Sequence, residues 1–205
     1  MDEGQAGGIV FLSAKDVGCE LHPQMSRVFV EGFYDWIKHF CKDKQKLTDA
    51  FTHVFDMKYF YVAMDGEKVA AMVACTQGNS PITLDRKVFT KQLGLIRGNF
   101  AYYMLNRHMV RNSYPFALSR TTGSIEFVAT APEYRNRGIA GGLITHAMSS
   151  SPYDSHILEV ADTNKGAVHL YSKLGFKEIK RVPAPNPKRT GVDFFLYMRC
   201  DGEAK

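Results

Sequence analysis

Residues 124–148 constrain the fold of this chain more than any other part. An alternating segment ends in a proline turn at Pro132 and enters the bend Tyr134-Arg135-Asn136-Arg137-Gly138-Ile139-Ala140-Gly141-Gly142, after which the pattern has helical period. A helix opening at such a bend presents N–H groups without intrahelical partners, together with the positive end of its dipole. Both favour an anion at that point. The small residues at 138, 140, 141 and 142 leave the backbone bare, so the run reads as a cradle for a pyrophosphate group.

The remaining pattern surrounds this unit with an α/β fold built on a mixed sheet. Residues 9–12 read as a strand, 22–41 and 47–55 as helices, and 59–64 and 68–76 as strands joined by the hairpin signal Asp65-Gly66-Glu67. The second helix is expected to start at Thr48 or in the Lys run before it. Residues 78–123 depart from this alternation and form a helical insertion, with helices at 85–95 and 97–111. Its aromatics (Phe89, Phe100, Tyr102, Tyr103) suit either a packed core or an amphipathic or cationic ligand. Strands at 124–130 and 156–161 flank a helix at 137–148. A helix at 164–174 stops at Gly175, and strands at 176–182 and 192–200 close the chain.

A length of 205 residues fits one domain, 1–205. The formal charge of +5 invites a nucleic-acid reading, yet the basic residues look scattered and form no block interleaved with aromatics, so no nucleic-acid partner is expected. Cys19, Cys41, Cys75 and Cys200 form no CxxC or Cys/His pair at zinc spacing, and the seven histidines form no ligand-spaced set. Reduced thiols and no metal are expected. The acidic start MDEGQAGG, with no basic stretch followed by an apolar one, is not expected to be a signal peptide. The most apolar run, 93–110, is broken by Arg97, Asn99, Asn106, Arg107 and His108, short of the ~18 apolar residues of a membrane span. A soluble, cytoplasmic protein without a membrane partner is the expectation.

Two blocks carry a family resemblance. The first is Val128-x-x-x-Pro132-x-Tyr134-Arg135-x-x-Gly138-x-Ala140, and the second is Asn164-x-x-Ala167-x-x-x-Tyr171-x-Lys173-x-Gly175-Phe176. In this order and spacing they resemble the acyl-CoA-binding signature of the GNAT N-acetyltransferase superfamily, with the match covering residues 124–181. A dinucleotide fold fits less well, because Gly138, Gly141 and Gly142 miss the G-x-G-x-x-G spacing.

The resemblance implies a GNAT-like acyl-CoA N-acyltransferase fold, in which the strand ending at Thr130 splays from the strand starting near His156. It implies acetyl-CoA as co-substrate and an amine-bearing acceptor. The backbone of Val128, Ala129 and Thr130 would meet the pantetheine arm, and the amides of Arg135, Asn136, Arg137, Gly138, Ile139, Ala140 and Gly141 the pyrophosphate. Tyr171 would protonate the departing thiolate; its spacing with Ala167, Leu170 and Leu174 also suits plain packing. Asn164 would cap its helix and touch the cofactor. Glu126, two residues before Val128 and so on the same face of a regular strand, would act as base or pair with a basic residue. The implied function is N-acetyl transfer by direct attack in a ternary complex, the alternative being an acyl-CoA-binding sensor or interaction module without acceptor chemistry. A homodimer is left open.

Overall fold

The computed structural model describes residues 8–110, 114–185 and 187–202. Seven strands form one sheet: β1 (Val10–Ser13), β2 (Phe60–Asp65), β3 (Lys68–Thr76), β4 (Thr122–Thr130), β5 (Ser155–Ala161), β6 (Lys177–Pro183) and β7 (Phe194–Asp201), in the spatial order β1-β2-β3-β4-β5-β7-β6. All neighbours are antiparallel except β4 and β5. The mixed sheet is the one expected. The insertion of β7 between β5 and β6 follows from long-range pairing that local pattern cannot encode.

Helices cover both faces. On one side lie α2 (His22–Ile37), α3 (Lys44–Phe51), α4 (Arg86–Leu93) and α5 (Leu95–Leu105); on the other lie α6 (Ile139–Ser150) and α7 (Lys165–Lys173). Short helices α1 (Ala14–Val17) and α8 (Pro187–Thr190) complete the set. The core runs through β2 and β3, whose Val62, Ala70, Met72, Val73 and Ala74 are buried, and is sealed by Phe29, Phe51, Phe60 and Phe89. Rings of Phe29 and Phe51 lie 4.9 Å apart, and those of Phe51 and Phe89 meet edge-on at 5.3 Å.

Local chemistry sets the boundaries. Gly66, with φ +56°, turns the β2–β3 hairpin, and Gly175, with φ +89°, ends α7, both as the sequence implies. The helix α3 begins at Lys44, in the Lys run that was one of its two expected starts, because the Asp43 carboxylate accepts hydrogen bonds from the N–H groups of Gln45 and Lys46. Gly94, with φ +85°, separates α4 from α5, and α5 passes into a π-helical turn, Asn106–Val110.

Candidate active site

The parallel pairing of β4 and β5 is short. It joins Thr122 to Ser155, Gly123 to His156 and Ser124 to Ile157, and stops there although both strands continue. Beyond Ser124 the pairing ends, and the edge of β4 over 126–130 runs on without β5 as its partner. A bulge in β4 reshapes that edge. Phe127 and Val128 together stand opposite Val73, with Glu126 in register with Ala74 and Ala129 with Met72. Phe127 adopts φ +52°, a left-handed conformation rare for a bulky side chain. Its ring packs on Phe29 and Phe33 of α2, 5.9 and 6.1 Å away, contacts that hold the strained backbone.

The bulge corrects one expectation. Strict alternation puts Glu126 and Val128 on one face, but the extra residue shifts the register, so Glu126 shares its face with Ala129. Ala129 is buried against α2, where a Cβ added at Gly32 would come within 2.8 Å of it. Glu126 therefore lies on the α2 side of the sheet.

After β4 the chain enters the bend 134–138. Tyr134 donates to Asp65 of the β2–β3 hairpin at 2.9 Å. The Arg135 guanidinium donates to the carbonyls of Thr130 and Glu31 at 3.2 and 3.3 Å, tying the bend to both β4 and α2. Asn136 and Gly138 are left-handed, with φ +61° and +76°, which Asn and Gly tolerate best. Gly138 is the N-cap of α6 and has no side chain to offer a capping bond, so the first amides of that helix, at Ile139, Ala140 and Gly141, lack an intrahelical acceptor. A Cβ built at Gly138 would meet nothing within 4 Å. The bend is bare, as the sequence implies.

The neighbouring glycines have another purpose. A Cβ at Gly141 would press on Leu170 at 3.3 Å, and one at Gly142 would overlap the Phe11 ring at 2.7 Å. Their smallness lets α6 approach α7 and β1, and it is Gly138 alone whose missing side chain bares the bend.

Tyr171 sits on α7, buried, with its ring 6.0 Å from Phe176. Its hydroxyl has no hydrogen-bond partner among the described residues, and burial pushes the phenol up to about 12. Asn164 caps α7 by accepting from the Ala167 N–H at 3.2 Å. Among the described residues no hydrogen bond joins Tyr171 to Glu126; they come from opposite sides of the sheet.

Around Glu126 the structure assembles groups that sequence reading missed. Ser124 Oγ donates to its Oε1 at 2.7 Å and Thr76 Oγ1 approaches at 3.3 Å. Burial pushes the Glu126 carboxyl up, these two hydroxyls pull it down, and the charge of Glu159 raises it further. Glu159 lies on β5 two residues past Ile157, as Glu126 lies on β4 two residues past Ser124, so the carboxylates flank the point where the pairing ends. Tyr197 on β7 donates to Glu159 Oε2 at 2.5 Å, and burial raises the Glu159 carboxyl against that bond. Tyr114 hydrogen-bonds Ser124 through its hydroxyl and meets the Tyr197 ring edge-on, centroids 5.8 Å apart. The registers of β3, β4, β5 and β7 together reveal this set.

A sequence profile of the Acetyltransferase (GNAT) family matches residues 24–176, most of the chain. The chain belongs to the GNAT family. Its sheet and helices match known structures of that family. It is 18% identical to an N-acetyltransferase from Staphylococcus aureus Mu50, with a TM-score of 0.63 over 93% of this chain and 99% of that one. It superposes with a TM-score of 0.54 and 16% identity on a chain of the NatC complex bound to Gag peptide and CoA, covering 95% of this chain and 99% of that chain. A curated relative, the N-alpha-acetyltransferase MAK3 of Arabidopsis thaliana, is 41% identical over 63 residues; that segment spans 29% of this chain and 33% of the relative's length.

Proposed function

We propose that this GNAT acetyltransferase moves an acetyl group from acetyl-CoA to a primary amine by direct attack within a ternary complex. The observation that carries the reading is the early end of the β4–β5 pairing at Ser124 together with the bare, left-handed Gly138 at the bend that follows β4. Acetyl-CoA supplies a thioester carbon activated toward amines, on a carrier with an extended diamide arm and a pyrophosphate.

The residues of this chain fit those parts. The edge of β4 offers backbone groups of Val128 and Thr130 to an extended diamide as an added strand would. Ala129 contributes only its backbone, since its side chain is buried under α2. The amides of the bend and the first turn of α6 hold the pyrophosphate, each charge-assisted bond contributing roughly 1.5–3 kcal/mol. Arg137, exposed at the bend and 5.5 Å from the Tyr134 ring, adds positive charge there.

Glu126 takes the proton from the attacking amine, directly or through water. Its raised proton affinity moves it toward the range in which a carboxylate serves as base near neutral pH. Tyr171 donates a hydrogen bond to the departing sulfur. A phenol pushed up to about 12 keeps its proton when facing a thiolate whose ordinary pKa is about 8.5, so it stabilises the leaving group chiefly as a donor. The facing carboxylates of Glu126 and Glu159 favour a positively charged acceptor before it is deprotonated. The N-alpha-acetyltransferase relative points the same way.

Isothermal titration with acetyl-CoA, followed by a screen for free thiol across peptides with free N-termini, polyamines and amino acids, tests the reading. Saturable binding and acceptor-dependent thiol release are expected. Absence of binding at millimolar acetyl-CoA would end the proposal. Binding without thiol release across the whole screen would replace it with a sensor that holds the thioester and performs no transfer.

A further inference from the structure

The positive charge of this chain is concentrated, contrary to the scattered distribution that a residue-by-residue reading suggests. Between Asp85 and Glu126 there is no Asp or Glu, while seven Lys and Arg occur; without this segment the formal charge of +5 would change sign. The segment carries α4 and α5. Lys87, Lys91, Arg97 and Arg107 are exposed, and none is in an ion pair among the described residues.

The same segment bears an outward apolar stripe. Gly98, Ala101 and Leu105 form the buried side of α5. A Cβ at Gly98 would overlap the backbone of Phe89 and Thr90 in α4, so the two helices are pressed together and the rotation of α5 is fixed. That rotation turns Ile96, Phe100 and Tyr103, spaced i, i+4 and i+7, to the solvent, with Leu95 beside them. Leu95 is 74% and Ile96 85% exposed at the corner after Gly94. The Phe100 ring meets Phe40 edge-on at 5.9 Å, and one turn before Phe40 the indole of Trp36 is also exposed. Contiguous exposed aliphatic and aromatic groups mark an interaction surface.

We propose that the α4–α5 hairpin is a docking surface for an anionic lipid bilayer, which the chain touches peripherally without crossing. No helix among the described residues is long and apolar enough to cross a membrane. The occupant follows from the combination. Free Lys and Arg with no carboxylate among them are drawn to an anionic leaflet. Aliphatic Leu95 and Ile96 at a corner gain from an acyl layer and nothing from a nucleic-acid backbone. Phe100, Tyr103 and Trp36 are side chains that settle at the headgroup boundary. This inference is independent of the acetyl-transfer reading.

The test is co-sedimentation of the full chain with vesicles of phosphatidylcholine alone and of phosphatidylcholine with about a quarter phosphatidylglycerol. The chain sediments with the second and stays in solution with the first, and added salt weakens binding. Reversing charge in Lys91→Glu with Arg97→Glu lowers the partition coefficient roughly fivefold per side chain. Ile96→Glu with Phe100→Glu lowers it by roughly tenfold or more. All four positions are exposed, and unchanged far-UV spectra and melting temperatures verify that the variants fold. Equal behaviour with both vesicle types overturns the proposal. So does undiminished binding by the Ile96→Glu, Phe100→Glu variant, or tighter retention by a single-stranded oligonucleotide than by the anionic vesicles. A lipid-free dimer that this variant converts to monomer would assign the stripe to a second copy of the chain.

Discussion

Ser124 Oγ donates to Glu126 Oε1 at 2.7 Å, immediately beyond the last residue pair that joins β4 to β5. The bond favours the charged carboxylate, while burial and Glu159 favour the neutral acid. If Glu126 is the base, the acid limb of kcat/KM lies above the ordinary glutamate range. Ser124→Ala moves that limb to higher pH, Glu159→Gln moves it to lower pH, and Glu126→Gln cuts kcat by about 10²–10⁴-fold. A pH–rate profile decides the matter. A limb that ignores both neighbours removes Glu126 from the mechanism.

Tyr171 separates chemistry from packing. Its hydroxyl has no hydrogen-bond partner among the described residues and is not one of their fully enclosed polar atoms, so Tyr171→Phe breaks no bond and changes the melting temperature little. Turnover is expected to fall by about 10²-fold while acetyl-CoA affinity stays level. Paired melting and steady-state measurements check this. Unchanged kcat would reduce the residue to core packing.

Gly138 distinguishes backbone strain from charge. Space around it is open, so Gly138→Ala meets only the left-handed penalty of roughly 1–2 kcal/mol and keeps some acetyl-CoA binding. Gly138→Glu bears the same strain and puts a carboxylate where the pyrophosphate is expected. Its affinity should fall by about 100-fold or more beyond the alanine variant, since charge-assisted bonds are lost and replaced by repulsion. Calorimetric titration of both variants gives the comparison, and equal losses would count against an anion site.

His156 makes the fold acid-sensitive. It is buried, its Nε2 meets Ser151 Oγ at 2.8 Å, its Nδ1 has no partner among the described residues, and burial pushes it down to about 4. The unfolded chain binds a proton near the ordinary pKa of about 6.5. Between these values the unfolded state holds more protons, so stability falls as pH drops from 6.5 toward 4. The loss amounts to about 3 kcal/mol by linkage. Denaturant melts of His156→Gln and the parent at several pH values should converge as pH falls, and parallel curves would refute the assignment.

Much of this was legible in the chain because it rests on local backbone demands. Gly66 and Gly175 had to turn, Asn164 had to cap, and the bare bend at Gly138 followed from small residues after an arginine-rich turn. What escaped depends on partners far away in sequence. Gly141 and Gly142 are small because Leu170 and Phe11 press on them. The bulge at Phe127 shows only against β3, and Glu159 gains meaning only once Ile157 is aligned with Ser124. The aromatics of the insertion divided: Phe89 entered the core, whereas Phe100 and Tyr103 stayed outside it, and periodicity alone gives no sign of which side of α5 meets a neighbour.

The seam of Thr122, Gly123 and Ser124 has a mechanical consequence. Strands β5, β7 and β6 join the rest of the sheet through those rungs, like a book held by a short spine. Any flexing of the two covers concentrates there and changes the gap at the far end most. A guest laid between the pages would stiffen both at once, so amide exchange along β4 and β5 should slow together when the cleft fills.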